Sequence, residues 1–537
     1  MIHGPPLALE AETIFLSLEA AARRVPDRDA IRFLDRGEDV TETLSFATIE
    51  ARYHAFAASI FHRGLAGRPI ILALPPGPDF AIAFLGCLRA GSIAVTVPWP
   101  AVGDARERLA SIVADVGAAT VLASARHAGG TGDCLLDGLP RLMIEDLDGA
   151  GDPPPMPSGE QPAFIQYSSG STRVPRGIVI THRNLAANQA MIAAAFGTRP
   201  DDVGVNWLPP SHDMGLIGTL LHPLYCGITA VLMPPTAFIQ KPLRWLAAIA
   251  RHGGTIAGGP NFAFGLCVRR APQAALAGLD LSRWRIAFCG AEPIHAETLR
   301  GFATHLAPSG FDASAFLPCY GMAETTLITT CARPSHGVRA LSDGVVASGR
   351  PVPGATLAIE PQPDFPPGTG EIRIGGPHVS PGVWDGVAQT VRLFPAAQDG
   401  LLATGDIGRL ASEGVVVIDR VKDIVIVHGR KVHAIDIEQA AILAEPAINA
   451  AAAFAVSDGV GETAVLLCEL RPRELAGLDD ALRERIAASV ADRTGISPRL
   501  RFVRSGALPR TTSGKIRRQA ARAAYLSGLL HDADRAA

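Results

Sequence analysis

The sequence contains no C-x-x-C pair, and none of its eight cysteines stands at zinc-ligand spacing from a histidine. Scattered single cysteines fit reduced core thiols and exclude a disulfide framework or a zinc finger. An excess of one charge is also lacking: 49 Lys and Arg face 52 Asp and Glu, for a net charge of −3. Without a basic stripe or polybasic run, neither nucleic acid nor an anionic membrane surface is an expected partner. The longest apolar stretch, residues 70–98, is broken by Pro75, Pro76, Pro78, Asp79 and Arg89. It reads as strand–helix–strand, with no membrane insertion. Glu10 and Glu12 interrupt the N-terminus, so no secretory signal is read there and a cytoplasmic location is expected. Internal repeats, a G-K-[ST] phosphate loop, a G-x-S-x-G elbow and the kinase signature set are all missing. Walker-type NTPase, serine-hydrolase and kinase readings therefore have nothing to stand on.

What is present suits a large globular chain: 537 residues, 48% hydrophobic and 19% charged. Helical periodicity over 11–24, 80–89 and 105–116 alternates with strand-like runs at 70–74, 92–97 and 119–122. That alternation predicts an α/β fold with parallel sheets. Residues 149–162, rich in Pro, Gly and Asp, read as a surface connection. The pattern over 346–418 changes to short strands and turns, and mixed α/β character returns after Arg420. The expected organisation is a large N-terminal domain, 1–420, of mixed parallel sheets and helices with a β-rich subdomain at about 346–418. A small α+β C-terminal domain, 421–537, follows, with residues beyond Leu526 frayed.

The most informative segment is Y-S-S-G-S-T-R-V-P-R-G at 167–177. Ser168, Ser169, Gly170, Ser171 and Thr172 put hydroxyls and backbone N–H groups at close spacing, suited to wrapping a polyphosphate. Arg173 and Arg176 add positive charge beside them. The flanks read as strands, so this is a strand–loop–strand phosphate loop; a polar hairpin turn is the plainer alternative.

Five further blocks follow. In S-H-D-M-G-L at 211–216, His212 and Asp213 could pair for catalysis, ligate a metal or simply pack a loop. F-C-G-A-E-P at 288–293 reads as a strand entering a small-residue turn. C-Y-G-M-A-E-T-T at 319–326 spaces an aromatic, a glycine and a carboxylate to stack on a base and reach a divalent cation. Thr404-Gly405-Asp406 with Arg420 can hydrogen-bond a ribose diol. Lys515, in P-R-T-T-S-G-K at 509–515, is either a solvated surface lysine or a mobile active-site cation.

The order and spacing of these blocks, from about Phe15 to Arg522, resemble the adenylate-forming superfamily of acyl-CoA synthetases, peptide-synthetase adenylation domains and luciferases. Within it, F-I-Q-K-P-L-R-W-L at 238–246, P-N-F-A-F at 260–264 and L-P-R-T-T-S-G-K-I-R-R at 508–518 look most like fatty acyl-AMP ligases. The resemblance implies that residues 168–172 with Arg173 cradle the phosphates of ATP. Gly290, Ala291 and Glu292 would line an adenine pocket, Tyr320 would stack on the base, and Gly321 and Met322 would complete that wall. Thr325 would contact the α-phosphate, Glu324 would hold Mg²⁺, and Asp406 with Arg420 would bind the ribose. Lys515 would assist adenylation, Lys422 would be the hinge of a mobile C-terminal domain, and His212 would stand between nucleotide and acyl pockets. A fatty or similar apolar acid would become acyl-AMP, then pass to a phosphopantetheine thiol.

Two departures qualify the resemblance. Arg176 replaces the lysine that many acyl-CoA synthetases carry before the glycine. Only residues 325–347 separate Glu324 from Ser348-Gly349-Arg350, too few for the insertion typical of fatty acyl-AMP ligases. That insertion is associated with delivery to a carrier protein, so acyl carrier protein and coenzyme A both stay open as acceptors, the carrier protein first. No carrier domain follows Lys515, so transfer is expected in trans. An amino- or aryl-acid substrate, with Asp213 near an amino group, and a nucleotide-binding protein without catalysis are the remaining alternatives.

Overall fold

The computed structural model describes residues 1–537 apart from 10, 101–103, 118, 128–132, 148–151, 153, 169–175, 340–345, 363–364, 396–399, 421–422, 428–429, 446, 458–461, 471–478, 511–515 and 531–537. Two large sheets carry most of the α/β architecture. One has eight strands, and Pro69–Leu72, Ile93–Thr96 and Thr120–Ala123 are parallel neighbours at its centre. These apolar runs are buried throughout, as expected of parallel strands covered on both faces. The other has nine strands and includes the parallel set Val203–Asn206, Ile256–Gly259, Ile286–Cys289 and Phe316–Gly321.

The helix Pro78–Arg89 is buried along almost its whole length. Gly86 permits this: a side chain there would stand 2.3 Å from the ring of Phe56. A five-stranded sheet joins Ile2–His3 to Thr356–Pro361, Thr369–Gly375, Leu402–Ala411 and Gly414–Arg420. A three-stranded sheet, Ile448–Ser457, Glu462–Leu470 and Arg499–Arg504, packs against the helices Ala434–Ala444 and Asp480–Thr494. No helix among the described residues is long and apolar enough to cross a membrane.

The span 346–418 does not stay together as one β-rich unit. The hairpin Gly382–Asp385/Thr390–Leu393 joins the eight-stranded sheet, with Gly382 opposite Val179 and Val383 opposite Ile178. Trp384 explains the detour: its buried indole donates to the carbonyl of Val116 at 3.1 Å. Arg350–Pro351 likewise pairs with Ile328–Cys331 at the edge of the nine-stranded sheet. The flanks of the phosphate segment are antiparallel strands, Pro162–Ser168 and Arg176–Thr181.

Candidate active site

The parallel strands Ile286–Cys289 and Phe316–Gly321 end side by side, and a cavity of about 1650 Å³ opens beyond their carboxyl ends. Open α/β sheets bind ligands at such places. Gly290 lets the neighbouring strand pass: a side chain there would lie 2.8 Å from the Cys319 carbonyl oxygen. Ala291 follows in a left-handed conformation, φ +69°, which a non-glycine residue adopts at a cost. Glu292 lines the cavity and accepts the Phe262 N–H at 2.6 Å, meeting one of the open donors at the start of the Asn261–Arg270 helix.

Tyr320, Gly321, Met322 and Glu324 also line the cavity. Gly321 must be glycine, since a side chain there would collide with the Leu327 carbonyl oxygen at 1.6 Å. Burial raises the carboxyl of Glu324 above the usual carboxylate range. A half-buried carboxylate facing a cavity fits a cation held jointly with substrate phosphates, the usual magnesium mode. Among the described residues no group of three His, Cys, Asp or Glu forms a metal cage, so Glu324 is the donor on which such a site would depend.

Thr325 departs from expectation. It is fully buried, and its hydroxyl donates to the Met322 carbonyl at 3.1 Å and accepts from the Met322 N–H at 3.3 Å and the Thr329 hydroxyl at 3.0 Å. It does not line the cavity. The turn consumes the hydroxyl that the sequence pattern offered to a phosphate. Thr326 beside it has φ +63°, ψ −63°, and the Leu327 N–H reaches the Thr325 carbonyl at 2.6 Å, a strained three-residue turn.

Asp406 and Arg420 are direct partners on the antiparallel strands Leu402–Ala411 and Gly414–Arg420. Arg420 Nε lies 3.0 Å from Asp406 Oδ1, and the Asp406 charge holds the guanidinium protonated. Tyr320 donates its hydroxyl to Asp406 Oδ2 at 2.8 Å. Burial, then Asp406, push the phenol's pKa well up. Base-stacking and ribose candidates thus converge from two different sheets.

The cavity also has apolar lining. Phe196 and Phe288 stack with centroids 6.0 Å apart, in one hydrophobic cluster with Ile192, Met214, Leu327 and Ile328. His212 lines the cavity and its Nδ1 lies 3.1 Å from Asp213 Oδ1, which also accepts the Met214 N–H at 2.7 Å. Gln166 donates to the Ser211 carbonyl at 2.9 Å and fixes the loop before His212. Gln166 and Phe196 were not singled out from sequence, and Phe288 only as the first residue of the 288–293 block; only long-range packing assembles them.

Ser168 ends the Pro162–Ser168 strand. Ser169, Gly170, Ser171, Thr172, Arg173, Lys422 and Lys515 lie outside the described residues.

Comparison with known proteins shows the family. The AMP-binding enzyme family model matches residues 18–384. The long-chain-fatty-acid–AMP ligase FadD26 of Mycobacterium marinum is 33% identical, over 95% of this chain and 96% of that protein. JamA of Moorena producens, a medium-chain-fatty-acid–[acyl-carrier-protein] ligase, is 30% identical over 97% and 96%. A solved structure from studies of fatty acyl-adenylate ligases of E. coli and L. pneumophila superposes with a TM-score of 0.85 at 29% identity, covering 98% of this chain and all of that one. The chain therefore belongs to the AMP-binding enzyme family within the adenylate-forming superfamily, and is an AMP-forming ligase close to the fatty acyl-AMP ligases.

Proposed function

We propose that the protein activates a fatty acid with ATP to acyl-AMP, releases pyrophosphate, and then passes the acyl group to a phosphopantetheine thiol. The observation that carries this reading is one continuous cavity lined both by the polar residues Tyr320, Asp406, Arg420 and Glu324 and by the stacked Phe196 and Phe288. A carboxylate oxygen attacks the α-phosphorus, the bond to the β-phosphate oxygen breaks, and pyrophosphate leaves. Thiol sulfur then attacks the acyl carbon, AMP leaves, and the thiol proton passes to solvent.

Asp406 and Arg420 would take the ribose hydroxyls and Tyr320 the base, while Glu292 holds the opposite wall by its bond to Phe262. Glu324 would hold Mg²⁺, which when bound supplies charge neutralisation on the phosphate oxygens. Residues 168–172 with Arg173 would cradle the phosphates, Lys515 would approach the reacting carboxylate, and Lys422 would be the hinge for the unit 421–537. His212, its ring anchored by Asp213, would separate nucleotide and acyl ends. Asp213 already serves the His212 ring and the Met214 N–H, which argues against its taking a substrate ammonium. An acyl carrier protein in trans is the preferred acceptor. The short interval between Glu324 and Ser348 favours coenzyme A as the second reading.

Carboxylate-dependent ATP–pyrophosphate exchange across fatty, aromatic and amino acids tests the reading. Exchange with a fatty acid, reduced about 10²–10³-fold in Lys515→Ala, is expected. ATP binding without exchange for any acid would overturn it.

A further inference from the structure

Glu324 reaches the cavity from a turn whose backbone is strained. Thr326, two residues on, holds φ +63°, ψ −63°, the less favourable hand of the three-residue turn, closed by the Leu327 N–H on the Thr325 carbonyl at 2.6 Å. Strain of this kind persists only where surrounding bonds over-determine the conformation. Much of that hold comes from one segment, residues 376–380. It connects the Thr369–Gly375 strand of the five-stranded sheet to the Gly382–Asp385 strand of the eight-stranded sheet. Its Ser380 N–H donates to the Glu324 carbonyl at 2.9 Å, and its His378 carbonyl accepts the Thr326 hydroxyl at 2.7 Å.

The His378 ring adds a third link, and this one has a direction. The Thr325 hydroxyl donates to the Met322 carbonyl, and the Thr329 hydroxyl donates to the Thr325 oxygen at 3.0 Å. With its one proton spent, Thr329 can meet His378 Nε2, 3.3 Å away, only as acceptor, so the ring proton stands on Nε2. The chain runs one way, from His378 through Thr329 and Thr325 to Met322. His378, Thr325, Thr326 and Thr329 are all fully buried, where such a chain is strongest and a missing member costs most. The other ring nitrogen, Nδ1, lies against Gly376, where a side chain would stand 2.9 Å from it. Asn184 donates to the carbonyls of Pro377 and Val379 at 2.8 and 2.9 Å and so fixes the loop on either side of the ring. His378 itself does not line the cavity.

We propose that His378 is a positioning residue for the reaction: through Thr329 and Thr325 it holds the strained turn that aims Glu324 at a magnesium ion on the substrate phosphates. This inference rests on the reading of Glu324 as magnesium donor and adds what keeps that donor in place. Groups that orient a metal ligand without touching the metal are typically worth about 10–100-fold in metal affinity.

The test is calorimetric binding of ATP with magnesium and with EDTA, which needs no turnover. The gain in ATP affinity that magnesium brings is expected to fall about tenfold in His378→Leu, with the affinity in EDTA unchanged. General damage to the pocket would lower both. Thr329→Val removes the relay hydroxyl at nearly constant shape; it should lose a similar factor, and carries the test if the leucine variant does not fold. His378→Gln keeps an N–H donor and should recover most of the gain. In a Glu324→Gln background His378→Leu should subtract nothing further, because its effect passes through that carboxylate. A full magnesium gain in both His378→Leu and Thr329→Val, beside a gain lost in Glu324→Gln, overturns the proposal alone. A gain unchanged in Glu324→Gln overturns the reading of Glu324, and the proposal with it.

Discussion

Tyr320 donates its phenolic hydroxyl to Asp406 Oδ2 at 2.8 Å, joining residues 86 positions apart. The bond ties the end of a parallel strand to a hairpin of the five-stranded sheet, and Asp406 passes the constraint to Arg420. Because burial and the Asp406 charge keep the phenol protonated, this donor persists throughout the usable pH range. Tyr320→Phe keeps the ring and deletes the donor. It should raise KM for ATP severalfold with kcat nearly unchanged, and destabilise by about 1–3 kcal/mol for the buried acceptor left short of a partner. Asp406→Ala should raise KM for ATP by at least about tenfold, since charge-assisted bonds are the stronger ones. Exchange kinetics at varied ATP measure both; an unmoved KM in the two variants would take this cluster out of nucleotide binding.

Glu324 sets function against stability. Burial disfavours its charged form, so ionising this carboxyl in the ligand-free protein costs stability. Glu324→Gln removes that charge while keeping shape. The melting temperature of the ligand-free protein should hold or rise, while exchange drops by about 10² and requires more magnesium. Calorimetry together with a magnesium titration checks both halves. A lower melting temperature with unchanged magnesium dependence would show that Glu324 is structural.

How much of this was readable in the chain depends on how local its cause is. The strand expected at 70–74 is Pro69–Leu72 and the helix expected at 80–89 is Pro78–Arg89, because apolar runs and the flanking prolines act locally. The Asp406–Arg420 pair was legible for the same reason: both flank one hairpin. The hairpin Gly382–Asp385/Thr390–Leu393 was misplaced because its partner strand lies some 200 residues earlier. Thr325 was misread because residue type cannot say that a turn will use its hydroxyl. Periodicity finds elements; only the packed structure finds what they surround.

Three buried histidines predict the acid limb of stability. Burial lowers His182 and His378 to about 4 and His222 to about 3, against about 6.5 in an unfolded chain. The unfolded state therefore binds protons that the native state refuses, and stability falls as pH drops below about 6.5, levelling off only near the folded values. Each histidine loses about 1.4 kcal/mol by pH 5.5, on the order of 4 kcal/mol for the three. Denaturant titrations at pH 7.5 and 5.5 should show that difference. His222→Gln should reduce it by about a third, keeping a polar side chain beside Thr198 and Gln189. An identical pH slope in the variant would remove His222 from this account.

Arg518 should be the most costly single charge to remove. Its Nε and Nη2 grip Glu438 at 2.7 and 2.8 Å, and Nη1 lies 3.2 Å from Asp423 and 3.6 Å from Asp419. Asp419 in turn accepts the N–H groups of Arg420 and Ala434. One guanidinium thus joins the end of the Gly414–Arg420 strand to the Ala434–Ala444 helix. Arg518→Gln leaves buried carboxylates uncompensated, a loss of about 3–5 kcal/mol when a buried pair is broken. Glu438 limits the damage, because burial already pushes its carboxyl up even against the arginine. With the arginine gone it should take up a proton in the folded state more readily than in the unfolded chain, so the variant regains stability as pH is lowered. Arg518→Lys keeps the charge without the fork and should recover part of the loss at every pH. Hydrogen exchange reads this locally: protection should fall in Ala434–Ala444 and stay unchanged in the Pro69–Leu72 strand. Protection in Ala434–Ala444 unchanged from wild type at every pH would mean that the network holds nothing together.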